Sequence, residues 1–329
     1  MKIAIDAMGG DHAPSETVKG AILAADSRND INIILIGDEN EIAEVIEKAD
    51  LSLPPNVDVV HTDSYVAMQD DPMSVVKEKS DSSMAIGLKM LKEDEADAFL
   101  SAGNTGALHA GSTLTVRKIK GVRRSAIATI LPFNTPILML DAGANPVVSE
   151  DVLHQWAILG SHYAELMLGI TNPRVGLLNI GTEAHKGTSV TQEAYRLLSS
   201  DDRINFVGNV ESNQLLFSPC DVLVTDGFTG NVVLKLFEGA GHFLHQSFEE
   251  MYSKNMLTKL SFLSVKDQLK NFNKMFDSSE YGGAPFLGLA KPVIKAHGSS
   301  GAVDIKNAII AAAKYCEFGV IEKIEECLQ

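Results

Sequence analysis

At 329 residues and 35.4 kDa the chain exceeds one ordinary hydrophobic core, so two domains or two interleaved halves of one large sheet are expected. Hydrophobic residues at 45% and charged residues at 22% exclude the disordered and fibrous classes. A formal net charge of −15 argues against nucleic acid and anionic lipid as partners unless basic side chains gather locally.

Met1-Lys2-Ile3-Ala4-Ile5-Asp6 runs straight into a strand pattern, which leaves no room for a signal peptide, and no apolar run reaches the roughly 20 residues of a spanning helix. A cytosolic location is the expectation. Strands are predicted at Lys2–Asp6, Ile31–Ile36, Val57–His61, Ala96–Ser101, Ala126–Leu131, Ile137–Asp141, Arg174–Ile180, Asp221–Thr225 and Val293–Ala296, with Ile204–Val207 a weaker candidate. Helix-sized segments separate most of them, and this alternation predicts βαβ units in a doubly wound α/β fold with a largely parallel sheet. Pro14 with Glu16 suits a first helical turn, and Asp38 with Glu41 has the form of a capping box. No proline occurs between Pro219 and Pro285, and the long helical patterns there suggest an amphipathic helical hairpin inserted over 238–277 into an otherwise single catalytic unit, 1–329. Cys220, Cys316 and Cys327 form no Cys-x-x-Cys pair and are taken as reduced thiols.

Six strands end in glycine-rich loops: Asp6 to His12, Ser101 to Ala107, Asp141 to Asn145, Asn179 to Glu183, Thr225 to Asn231, and His297 to Ser300. In an open parallel sheet such ends share the edge where ligands bind. Glycine permits close backbone approach, and successive amides with a following helix N-terminus favour a phosphate. A turn that merely reverses the chain is the plainer reading of any one loop. Gly103-Asn104-Thr105-Gly106 is echoed by Gly227-Phe228-Thr229-Gly230, which hints at two related half-sites facing one cleft.

No Gly-x-Gly-x-x-Gly follows the first strand, and around Gly181 to Ser189 the lysine and glycine stand in the opposite order to a P-loop, so nucleotide binding has no motif. Lys186 does sit between a strand-end glycine and a helix start, where an ammonium neutralises a phosphate, although a solvated surface lysine reads the same way. His12 and His297 lie in strand-end loops and are candidate ligand contacts; His242 and His245 stand at helical spacing and read as packing or surface residues. There is no zinc pattern and no Gly-x-Ser-x-Gly elbow.

Taken together, Asp6 to Pro14, Ser101 to Ala107, Gly176 to Glu183, Thr225 to Asn231, Tyr281 to Pro285 and Ile294 to Ser300 resemble the bacterial phosphate acyltransferase family, which acts on acyl-acyl-carrier protein and phosphate. The resemblance spans nearly the whole chain; one local departure, Ser125 after Arg124, lies outside these loops. It implies a three-layer α/β/α Rossmann-like fold similar to the isocitrate dehydrogenase and phosphotransacetylase group: a large mixed, mostly parallel sheet, two intertwined subdomains and a homodimer. It also implies a reaction in phospholipid biosynthesis: long-chain acyl-acyl-carrier protein and inorganic phosphate give acyl phosphate and free carrier protein, without a cofactor or metal. A downstream membrane glycerol-3-phosphate acyltransferase would take the product, and no nucleic acid is involved.

Phosphate is already anionic at neutral pH, so such an enzyme needs chiefly to position it and to stabilise the oxyanion. On that basis Gly103, Thr105, Gly106, Gly227, Thr229, Gly230, His12 and His297 are assigned to phosphate, Lys186 to charge neutralisation, and Asn231, ahead of Asn104, to oxyanion donation. Lys186 as a covalent acyl carrier is disfavoured because an amide is far more stable than an acyl phosphate.

From Phe243 to Phe276 apolar residues alternate with five lysines, which outweigh Glu249, Glu250 and Asp267 in a chain that is otherwise acidic. A basic amphipathic pair of helices suits an anionic membrane surface, with Leu257, Leu260, Phe262 and Leu263 as contacts; packing against a dimer partner is the competing reading. The expected location is therefore cytoplasmic, peripherally associated with the inner face of the cell membrane. Two other functions are compatible with these features: a phosphotransacetylase-like enzyme using short acyl-coenzyme A, and a non-catalytic scaffold recruited to membranes.

Overall fold

The computed structural model describes residues 1–133, 135–256, 258, 261–262, 265–266, 268–269, 272, 276 and 281–328. The chain divides into two compact units: Met1–Ala128 with His162–Gly169 and Ser279–Gln329, and Thr129–Ser161 with Ile170–Ser278.

In the first unit the strands are β1 (Lys2–Asp6), β2 (Asn32–Gly37), β3 (Val57–His61), β4 (Ala98–Ser101), the first half of β5 (Ala126–Leu131), β10 (Ala284–Leu287) and β11 (Val293–Lys295). Their order is β3-β2-β1-β4-β11-β10-β5. The pairings from β3 to β11 are parallel, and β10 runs antiparallel to both β11 and β5. Side-chain alternation assigns the faces. Ile3, Ile5, Ile33, Leu35, Ala98 and Leu100 point to the side where α1 (Ser15–Ser27) packs with the helix Ala302–Glu317. Phe99 points the other way, and its ring fills the place a Cβ would take on Gly87 of α3 (Ser83–Lys92). Helices thus cover both faces, which is why these strands read as near-continuous apolar runs. Asp38 caps α2 (Glu39–Lys48) by accepting the Asn40 and Glu41 amides at 2.8 and 3.3 Å.

The second unit orders its strands β6-β9-β7-β8, from β6 (Ile137–Leu140), β7 (Arg174–Asn179), β8 (Asn205–Glu211) and β9 (Val222–Val224), all parallel. α5 (Glu150–Leu168), whose residues from His162 on belong to the first unit, follows β6, α6 (Ser189–Ser199) follows β7, and α7 (Gly227–Ser253) follows β9. Trp156 of α5 is fully buried. Asp201, after α6, is held by Arg203 and by His154 Nε2 at 2.7 Å.

The predicted mostly parallel α/β sheet is the observed fold class, and each predicted strand is present to within two residues at its ends, except the weak one. That strand, expected at Ile204–Val207, is Asn205–Glu211, and its register slips between Val175 and Gly176 of β7, so that Val207 has no partner. The extra residue breaks the alternation that sequence reading depends on. β10 was not predicted: it opens Ala284-Pro285, and proline argues against a strand with partners on both sides. Pro285 is accommodated at the start of the ladder opposite Ile294, while Phe286 and Leu287 pair with β5.

Candidate active site

In the first unit the C-terminal ends of the parallel strands β1, β4 and β11 carry Asp6 to His12, Ser101 to Gly106 and Ala296 to Ser300 along one edge. Asp6 is buried beneath them. Its carboxylate accepts the hydroxyls of Ser83 at 2.6 Å and Ser101 at 2.7 Å, and Ser101 Oγ accepts the Gly103 amide at 3.0 Å. Burial pushes the Asp6 carboxyl above its ordinary range, against the two serine hydrogen bonds, the Met8 amide and the charge of Lys295. Gly9 lies so close to Gly103 that a Cβ there would stand 2.8 Å from the Gly103 nitrogen, which fixes glycine at that position.

Asn104 caps α4 (Thr105–Gly111) by accepting the Ala107 amide at 3.0 Å. Its side-chain nitrogen donates to the carbonyls of Met68 at 3.0 Å and Asp70 at 3.1 Å, with Ala67 at 3.4 Å. Both ends of this amide are thus committed to holding the 67–70 segment against the loop. His297 is exposed, with Nδ1 bonded to Ser299 Oγ at 2.8 Å, and His12 is exposed in the turn before α1. At the start of the helix Ala302–Glu317 the Gly301 and Ala302 nitrogens are taken up by Asp304 and Glu16.

In the second unit the adjacent ends of β6, β9 and β7 carry Asp141 to Asn145, Thr225 to Asn231 and Asn179 to Lys186. Asp141 is fully buried and accepts the amides of Gly143, Ala144 and Asn145 and the Asn145 side chain at 2.6 to 3.2 Å. A Cβ on Gly227 would stand 2.7 Å from Asp141 Oδ2, and one on Gly230 would collide with the Asp141 carbonyl oxygen. The start of α7 can therefore lie on the end of β6 only with glycine at both positions. Asp226 caps α7, accepting the Thr229 amide at 2.9 Å and the Thr229 hydroxyl at 2.8 Å.

Asn231 follows on the first turn of α7. It is half-buried, its side chain lies over Gly143, and among the described residues its amide makes no hydrogen bond. Lys186 is half-buried at the neighbouring strand end. Asn179 Nδ2 holds its carbonyl at 3.1 Å, and Gly187 next to it has φ +87°. Its ammonium enters no hydrogen bond or ion pair among the described residues.

Each unit therefore gathers its own share of the predicted residues: Gly103, Asn104, Thr105, Gly106, His12 and His297 in the first, Lys186, Gly227, Thr229, Gly230 and Asn231 in the second. Leu257, Leu260 and Leu263 lie outside the described residues; Phe262 is half-buried, its ring 5.5 Å from that of Tyr252. Three buried charges went without a role in the sequence reading. Asp6 closes β1 and Asp141 directly follows β6, each just before a glycine-bearing turn, a pattern that marks a side chain folding back on its own amides. Lys295 stands in an apolar strand with no local sequence signal of a role. One group resembles a metal centre, Asp38, His61 and Asp63. However, His61 Nδ1 accepts the Glu39 amide, which leaves the ring proton on Nε2 facing Asp63 at 3.2 Å, so Nε2 has no lone pair for an ion.

Solved structures with this architecture include a phosphotransacetylase from Streptococcus pyogenes, 17% identical with a TM-score of 0.63 over 96% of this chain and 94% of that one. The EutD phosphotransacetylase from Staphylococcus aureus, 15% identical, aligns with a TM-score of 0.59 over the same shares. The fold is that of the phosphotransacetylases, an α/β class with a mixed, mostly parallel sheet. A family model described as "Fatty acid synthesis protein" matches residues 1–323. Proteins named phosphate acyltransferase are 44% identical in Caldanaerobacter subterraneus subsp. tengcongensis, over 99% of this chain and 97% of that one, and 43% identical in Fusobacterium nucleatum subsp. nucleatum, over 100% and 99%. The chain belongs to the phosphate acyltransferase family and is an acyltransferase.

Proposed function

We propose that the enzyme transfers a long-chain acyl group from the thioester of an acyl carrier protein to inorganic phosphate, giving acyl phosphate for phospholipid synthesis. A phosphate oxygen attacks the thioester carbonyl, the tetrahedral oxyanion collapses, and the carrier leaves as its thiol. No protein base is needed, because the nucleophile arrives ionised; the protein contributes positioning and charge.

The observation that carries the residue roles is the contrast between committed and uncommitted groups. Asn104 and Thr229 spend their polar atoms on capping and loop closure, whereas the Asn231 amide and the Lys186 ammonium stand at adjacent strand ends of one unit with no partner among the described residues. Lys186 neutralises the phosphate and Asn231 donates to the oxyanion. Within that same unit the glycine-bearing turn at Gly227 to Gly230 is assigned to the phosphoryl group; in the first unit the turn at Gly103 to Gly106, with His12 and His297 in neighbouring loops, is assigned to phosphate as well. Incubation with palmitoyl-acyl-carrier protein and phosphate, with hydroxylamine trapping, tests the reaction. Hydroxamate that depends on both substrates is expected; product from short acyl-coenzyme A alone would move the enzyme to the phosphotransacetylases, and no product from any thioester would leave a scaffold.

The protein acts as a homodimer in the cytoplasm, peripherally associated with the inner face of the cell membrane, and hands its product to a membrane glycerol-3-phosphate acyltransferase. Among the described residues no helix is long and apolar enough to cross a membrane. Exposed Phe228, Val232, Leu236 and Phe243 follow one another at helical spacing along α7, an apolar face suited to a second copy of the chain. Met256, 80% exposed, heads the stretch with Leu257, Leu260, Phe262 and Leu263 that is assigned to lipid.

A further inference from the structure

Beneath the loops of the first unit lies a charge that the proposed chemistry leaves unused. Lys295 closes β11 and is 9% exposed. Its ammonium donates to the carbonyl oxygen of Ala102 at 3.1 Å and to that of Ala296. Ala102 comes directly before Gly103 and Ala296 directly before His297, so one side chain ties together the chain leaving β4 and the chain leaving β11. The carboxylates facing it are Asp6 of β1 and Asp11 of the turn that follows; burial nonetheless pulls its pKa down to about 8.

The peptide between Ala102 and Gly103 is clamped at both ends. Its carbonyl accepts Lys295, and its amide donates to Ser101 Oγ, which itself donates to Asp6. Gly103 has no side chain to resist rotation of that peptide plane, so the two clamps decide which way the loop presents its backbone. A buried ammonium is costly, and an apolar side chain of equal length would avoid that cost. Packing alone does not account for it.

We propose that Lys295 is a positioning residue for phosphate binding, fixing the Ala102–Gly103 peptide so that the Gly103 to Gly106 loop meets the phosphoryl group in one orientation. This rests on the assignment of that loop to phosphate. The test compares Lys295→Met, Lys295→Arg and, as a reference for the loop itself, Thr105→Val. Lys295→Met should raise the KM for phosphate about 10-fold or more while leaving the KM for the acyl thioester within about twofold, and Lys295→Arg should recover part of the loss. A raised phosphate KM in Thr105→Val with none in Lys295→Met overturns the proposal alone. No change in either variant overturns it together with the loop assignment, and equal loss of both KM values marks a purely structural lysine and also overturns it. If Lys295→Met does not fold, the wild-type phosphate KM at constant dianion concentration decides. The ammonium is charged below its pKa and neutral above it, so KM should rise as pH passes through about 8; a flat profile overturns the proposal.

Discussion

Two asparagines of the glycine-rich loops, Asn231 preferred over Asn104 as oxyanion donor in the sequence, part company in the structure. Asn104 is spent on Ala107 and the 67–70 carbonyls, while Asn231, over Gly143, has no hydrogen-bond partner for its amide among the described residues. Asn231→Ala should therefore lower kcat by about 10²- to 10³-fold with little change in melting temperature, the usual cost of a lost oxyanion donor. Asn104→Ala should instead show first as lost stability, about 1 kcal/mol or more for the cap and its loop contacts, measured by chemical denaturation. Near-normal turnover in Asn231→Ala or in Lys186→Ala removes that residue from the mechanism. At the same scale, hydrogen bonds from Arg203, and behind them His154, hold the Asp201 carboxyl well below the usual carboxylate range despite its partial burial. A depressed folded-state pKa contributes stability above the unfolded value of about 3.9 that fades as pH falls below it. Asp201→Asn should cost about 1 kcal/mol at pH 6, discounted for the exposed Arg203, and less at pH 3. Single residues were the least legible part of the sequence. Nothing in Ile294-Lys295-Ala296 distinguishes a lysine that reaches water from one turned under a loop; that depends on which strands lie beside β11.

Elements were more legible, because helix and strand periods are local. The strands buried on both faces stood out as short apolar runs between glycines. What failed was also local and physical: a bulge at Val207 that spoils alternation, and a strand beginning at Ala284-Pro285 that reads as a turn. Strand order was not legible at all, since β11 and β10 enter beside β4 from the far end of the chain. The close seat of α7 on β6 makes a prediction for an element and not a side chain. Gly230→Ala places a methyl group inside the Asp141 carbonyl, so the first turn must lift away. The expected result is about 1–3 kcal/mol of lost stability, the usual cost of overpacking, together with lost activity because Asn231 is the next residue. Wild-type stability and turnover in this variant would show that the turn adapts.

For the whole molecule, composition and the repeated strand, glycine loop and helix pattern were enough to place the chain in the α/β class, and the strand-end loops do gather on parallel strand ends in each unit. A basic stretch in a chain of net charge −15 sets up the test at this scale. Wild-type protein should float with anionic vesicles, less so at high salt, and Leu257→Glu should not. Equal flotation of the two would sink the lipid assignment for that residue.

α7 runs unbroken from Gly227 to Ser253, about 40 Å at 1.5 Å per residue, with Asn231 on its first turn and the stretch assigned to lipid beyond its last. The proposed roles thus fall at the root and the tip of one rod. A sideways push of about 5 Å at the tip swings such a rod by about 7°, within the 10–20° over which a reacting geometry is usefully held. If the tip were gripped at a lipid surface, such a rod would act on its root as a lever, trimming the aim of one amide by degrees.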